Sequence, residues 1–202
     1  MVRSGLVRTA LLGAWVAAAG PATARAQVIS YTAPLSGPNE SPANASPGTG
    51  VSFVDFNPTA HTLRIRATFQ GLTGTTTASH IHAPTTTPLT GTAGVATVMP
   101  AFPGFPLGVT SGSYDNTLNT LTDATYNPAY ETANGGTAAG AEAALTSALA
   151  QGRAYFNIHT TTFGGGEIRG FLVPAPVPEP GALALTGAAC AGMLAYRRRR
   201  RT

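Results

Sequence analysis

The sequence predicts a mostly β fold, an antiparallel β-sandwich or barrel with one short helix. Three observations carry that expectation. Short runs alternate apolar and polar residues with period two, turn residues separate them at close intervals, and only one segment follows helical spacing. The composition agrees, with 24 glycines, 16 prolines and only 10% charged residues among 202. Such a chain suits short strands joined by many turns.

The first strand is expected over Gln27 to Leu35, where Val28, Ser30 and Thr32 alternate with Ile29 and Tyr31. Ser36 to Gly50 is rich in Pro, Asn, Ser and Gly and reads as loop. Val51 to Phe56 alternates again, with Val51, Phe53 and Asp55 on one face. Asn57-Pro58 turns the chain, and His61 to Phe69 places Leu63, Ile65, Ala67 and Phe69 on one face against Arg64, Arg66 and Thr68. Two runs around an Asn-Pro turn predict an antiparallel hairpin. Further strands are expected at Ala78 to His82, Gly94 to Met99 and Val109 to Tyr114, with Pro103 and Pro106 making the segment between the last two irregular.

The helix is expected over Ala138 to Gln151. Ala141, Ala144, Leu145, Ala148 and Leu149 keep helical spacing, Thr137 can cap the start and Gly152 can end it. Arg153 to His159 and Glu167 to Val173 form a last pair of strands around Thr160 to Gly166.

The two ends predict export. Arg3 and Arg8 precede the apolar run Ala10 to Ala19, and Ala24-Arg25-Ala26 offers a small-x-small cleavage site. Residues 1–26 therefore read as a signal peptide and its helix, cut by signal peptidase. At the other end, residues 174–180 form a Pro-rich linker ending in Pro178-Glu179-Pro180. Residues 181–202 follow as an apolar transmembrane helix closed by Arg197, Arg198, Arg199, Arg200 and Arg201. An apolar helix followed at once by a basic cluster stops in a membrane with the arginines on the cytoplasmic side. Gly181 to Tyr196 spans about 24 Å, slightly short for a bilayer core, and arginine snorkelling can make up the difference.

That ending resembles the PEP-CTERM sorting signal of Gram-negative bacteria. The resemblance implies processing by an exosortase after export and a setting at the cell surface, often among extracellular polysaccharide. The alternative, an ordinary C-terminal anchor, leaves the topology unchanged. Either way the location is periplasm, cell surface or extracellular matrix, with transient or permanent inner-membrane anchoring.

Without its ends the chain loses its positive charge. The formal +4 depends on arginines at the termini. Between Gln27 and Val177 four arginines face seven acids, so the exported domain stands near −3 and nucleic acid is not an expected partner. The single cysteine, Cys190, lies in the tail helix, which excludes disulfide and thiol chemistry from residues 27–173. About 145 residues are enough for one domain with a core of its own.

Within residues 27–173 several segments resemble the CHRD domain, first described in chordin and also found in bacterial secreted proteins. Leu35-Ser36-Gly37-Pro38-Asn39-Glu40-Ser41-Pro42 is similar to its opening loop, and Gly71-Leu72-Thr73 followed by His80-Ile81-His82 to its central motif. The most specific stretch is Gly152-Arg153-Ala154-Tyr155-Phe156-Asn157-Ile158-His159-Thr160, leading to Gly166-Glu167-Ile168-Arg169-Gly170. Gly164-Gly165 and Ala83-Pro84 depart from the family pattern, in loops. The resemblance implies fold and location and brings no settled activity.

His80 and His82 are the one constellation with chemical potential. Two apart on a strand, they face the same side, and neutral imidazoles bind copper or zinc. His159 is the candidate third ligand, and Glu167 a fourth ligand or an acceptor that orients a ring. In outline this resembles the His-x-His copper strand of the Cu/Zn superoxide dismutase sandwich, an analogy at the level of fold. The competing reading has the histidines brace a loop through backbone carbonyls, and Glu167 pair with Arg169 or Arg153. No Gly-x-Ser-x-Gly, no phosphate-binding glycine loop and no second carboxylate beside Glu167 supports an enzyme. The expected role is a non-catalytic structural or binding module, with a superoxide-dismutase-like metalloprotein and a polysaccharide-binding module as alternatives. Tyr114, Tyr126, Tyr130 and Tyr155 are the aromatic candidates for sugar contact, although aromatics in strands usually belong to a core.

Overall fold

The computed structural model describes residues 28–176. The expected signal helix, the Pro178-Glu179-Pro180 motif and the arginine-tailed transmembrane helix lie outside the described residues. Among the described residues no helix is long and apolar enough to cross a membrane.

Eight strands and two helices follow in order: β1 (Ile29–Ser36), β2 (Thr49–Asn57), β3 (Thr62–Gln70), β4 (Thr76–His82), β5 (Gly112–Asn119), α1 (Pro128–Ala133), α2 (Ala138–Ala150), β6 (Tyr155–Thr160), β7 (Ile168–Phe171) and β8 (Val173–Pro174). The strands form one antiparallel sheet in the order β4-β6-β7-β1-β2-β3-β5, with β8 also pairing with β1. The sheet curls into a half-barrel, in line with the expected mostly β, antiparallel fold.

The β2–β3 hairpin forms around Asn57-Pro58, with Val54 opposite Ile65 and Phe56 opposite Leu63. Asn57 Oδ1 accepts from the Thr59 and Ala60 N–H groups and so folds the turn back on itself. Leu63, Ile65, Ala67 and Phe69 of β3 all face the core, together with Tyr31, Ala33 and Leu35 of β1. On β2 the core side is Ser52, Val54 and Phe56, so the alternate set with Phe53 faces outward. Truncating a fully buried member such as Leu63 to alanine costs about 2–5 kcal/mol, transfer and cavity terms together. β7 lies so close to β1 that a Cβ on Gly170 would sit 2.1 Å from the Pro34 carbonyl oxygen, and only glycine fits there.

The helix begins and ends as the sequence predicts. The Thr137 hydroxyl accepts from the Gly140 N–H, and Gly152 sits at φ 65 beyond the last turn. Its buried side, Ala141, Leu145, Ala148 and Leu149, joins the core. Glu142 on another side reaches His61 Nδ1 at 3.0 Å and the Thr120 hydroxyl, tying the helix to the β2–β3 turn.

Three local expectations change. Residues 94–99 form isolated bridges, His82 to Val95 and Thr97 to Tyr126, because their backbone groups divide between β4 on one side and residues 125–127 on the other. The strand expected over Val109 to Tyr114 starts instead at Gly112 and runs to Asn119. Val109 is taken by β4, through the Thr76 N–H to the Val109 carbonyl and the Gly108 N–H to the Thr76 carbonyl. Those bonds, with the Ser79 to Ala101 bridge, cover the free edge of β4 and carry the chain across to β5. Finally, α1 has no long periodic signal, being six residues started by Pro128 and capped by Asn127.

Candidate metal centre on the outer face of the sheet

β4 and β6 pair so that Ile81 meets Phe156 and Ser79 meets Ile158 on the core side. Alternation then puts His80, His82, Tyr155, Asn157 and His159 on the opposite side. There Tyr155 lies across from His82, Asn157 from His80 and Ala78 from His159. All six residues of β6 are nonetheless buried, because three loops fold over this outer face.

Each loop makes a specific contact. The Thr85 N–H donates to the Arg153 carbonyl and the Leu89 N–H to the Gly152 carbonyl, which pins residues 83–93 above β4. Arg153 returns a bond from Nε to the Thr85 carbonyl. That loop delivers the Ala93 carbonyl to His82 Nδ1 at 2.8 Å. The 160–166 loop, closed by the Thr160 and Gly166 N–H groups on the Phe163 carbonyl, delivers the Gly164 carbonyl to His159 Nδ1 at 2.9 Å. The third loop brings Asn39 and Glu40 to Arg169.

A carbonyl can only accept, so Nδ1 of His82 and of His159 carries the hydrogen and Nε2 of each keeps its lone pair. Both Nε2 atoms, and Nδ1 of His80, are buried with no hydrogen-bond partner. The ligating atoms of the three rings lie within 4.8 Å of one another. Burial holds the His80 ring down to about 3 and the His82 ring to about 4, with the charge of a protonated His159 acting the same way on both. Burial also lowers His159, against its bond to Gly164. At neutral pH all three imidazoles are uncharged, the form that binds a metal ion.

The structure does not bring Glu167 to the three rings. Its carboxylate accepts from the Ser46 hydroxyl at 2.6 Å, the Thr160 hydroxyl at 2.6 Å, and the Thr73 and Gly74 N–H groups. Burial pushes this carboxyl up, and the four donors together outweigh it and hold the group below its ordinary range. Nor does Glu167 pair with Arg169 or Arg153. Gly166, at φ 127, turns the chain just before β7, and Arg169 donates instead to the Asn39 carbonyl at 2.6 Å with Glu40 Oε2 3.7 Å away.

Tyr155, expected only as a core aromatic or a sugar contact, packs against this cluster. Its ring stacks on His82 at 4.7 Å and 6°, and its hydroxyl lies 3.3 Å from the same Ala93 carbonyl that His82 uses. The Arg169 guanidinium lies over the Tyr155 ring at 4.6 Å. The alternation Tyr155, Asn157, His159 was the available signal. The other three tyrosines named as sugar contacts, Tyr114, Tyr126 and Tyr130, are buried in the core cluster.

A family model for the CHRD domain matches residues 31–172. The chain belongs to the CHRD domain family. The match runs from β1 to the end of β7 and takes in all three histidines, Glu167 and the loops over them. A search of curated proteins and one of solved structures each find no match. Membership of the CHRD family supports a structural or binding module in general terms.

Proposed function

We propose that this CHRD domain protein is an exported envelope or matrix module that binds one transition-metal ion, copper or zinc, through His80, His82 and His159. The observation that carries the reading is the set of three buried, unpartnered imidazole nitrogens within 4.8 Å. Leaving one such buried group unsatisfied costs about 1–3 kcal/mol, so three together need a compensating partner. Two of the rings are held by main-chain carbonyls through their other nitrogen, the arrangement that fixes tautomer and aim in histidine metal sites. Three nitrogen ligands without thiolate or carboxylate suit zinc or copper and leave a coordination position for water or a small ligand.

The terminal segments support export. Residues 1–26, read as a substrate of signal peptidase, and the tail from Pro178 to Arg201, read as a substrate of an exosortase, support a setting outside the cytoplasm.

The test is elemental analysis of the full chain recovered from the exported fraction, after loading with copper or zinc and dialysis. About one equivalent of metal is expected, lost in the His80→Ala/His82→Ala/His159→Ala variant. Absence of metal from the loaded protein, or its retention by the variant, would leave the histidines as loop braces.

A further inference from the structure

Beside the three histidines, on the β7 side of Tyr155, a cavity of about 490 Å³ opens between the loop after β1, the loop after β4 and β7. Its lining includes Arg169, which is only 4% exposed, and Phe171. Among the described residues the guanidinium makes one hydrogen bond, from Nε to the Asn39 carbonyl. Among the described residues the two terminal nitrogens make no such bond, and the Arg169 side chain lines the cavity. The plane of the guanidinium is set by Tyr155 at 4.6 Å and Phe171 at 5.7 Å. A buried, pre-oriented fork of N–H donors matches the two oxygens of a carboxylate.

The neighbouring Glu40 does not complete that fork. Its Oε2 lies 3.7 Å from Nε, beyond hydrogen-bonding distance, and its Oε1 is buried without a partner. Burial pushes its carboxyl up to about 7 although Arg169 acts to lower it, so at neutral pH it cancels the arginine charge only in part. Ser41 and Thr90 place hydroxyls at the exposed mouth. The volume lies within the range of small-molecule sites and admits a sugar ring.

We propose that this cavity binds a carboxylate-bearing sugar, a uronic-acid unit of an acidic polysaccharide, with its carboxylate on Arg169. The proposal stands apart from the metal reading, since none of the three histidines lines the cavity.

The experiment is titration of the full chain, followed by calorimetry, with galacturonate, its linear trimer, galactose and acetate. Saturable binding of galacturonate and of the trimer is expected, with galactose and acetate each at least about tenfold weaker. Arg169→Gln removes the fork and weakens galacturonate by about tenfold or more, and Arg169→Lys, which keeps only the charge, recovers part of the loss. Thr90→Trp, at an exposed position on the rim, blocks binding and leaves the melting temperature unchanged, which covers the case that the Arg169 variants fail to fold. No saturable binding of galacturonate, equal binding of galactose, or full binding by Thr90→Trp overturns the site. Acetate bound as well as galacturonate overturns the sugar. A trimer excluded while the monomer binds overturns the polymeric source and assigns a free acid.

Discussion

The two halves of the sheet's outer face are built on the same alternation and meet opposite fates. Across β2, β3 and β5 the outward residues reach solvent, and four of them, Asp55, Arg64, Arg66 and Asp115, are charged. Arg64 pairs with Asp115 at 2.6 Å, both about half exposed, and Arg66 pairs with Asp55 at 2.8 Å. Across β4, β6 and β7 the outward residues are also polar, yet His80, His82, Asn157, His159 and Arg169 are all buried beneath loops. The difference lies in the covering segments. A polar side chain left in water needs no designated partner, whereas one under a loop must find one inside the protein. Polarity on the first surface stays in water, and on the second it is gathered into a buried cluster.

The largest effect should come from breaking the buried side. Glu167→Ala strands two hydroxyls and two N–H groups that now share one carboxylate, so a loss of about 3 kcal/mol or more is expected from urea unfolding. A loss below about 1 kcal/mol would show that water replaces the carboxylate freely.

Metal dependence comes next. With ion at a hundred times its dissociation constant, the native state gains about 2.7 kcal/mol, seen as a raised melting temperature. The triple histidine variant should show no such shift, and an equal shift in the variant would place the ion elsewhere.

A further test takes Glu40 by pH. Its carboxyl is raised by burial from an ordinary 4.5 to about 7 in the folded chain. The folded state therefore holds the proton more tightly, and the associated stability, complete below pH 4.5, drains away as pH rises through about 7. Glu40→Gln should flatten the fall in melting temperature across that window. An unchanged slope in the variant would assign the fall to other groups.

The smallest effect belongs to the solvated half. Arg64→Ala should leave the urea midpoint unmoved within error, because an exposed pair is screened and holds two mobile side chains. A clear loss there would erase the contrast between the two halves.

Sequence alone determined much about this protein. The period-two runs oriented β3, turned His80 and His82 to one side, and set the Asn57-Pro58 hairpin, because those relations span only a few residues. Thr137 and Gly152 likewise bounded α2, since capping is local. The CHRD-like motifs were legible for the same reason, as contiguous strings. What the sequence left open was every partner reached over a long separation. Whether His159 meets His80 depends on the β4–β6 register across some 75 residues. Glu167 offered itself equally as ligand, as orienting acceptor and as partner of Arg169, and only folding supplied Ser46, Thr73, Gly74 and Thr160 together. Tyr155 and Glu40 gained their roles in the same way, one from a ring stacked across strands and the other from a loop laid over β7. Local backbone preference decides which way a side chain points. Burial and the identity of its neighbours are decided when distant segments close over it, and for these polar groups that closure is what turns a pattern into a site.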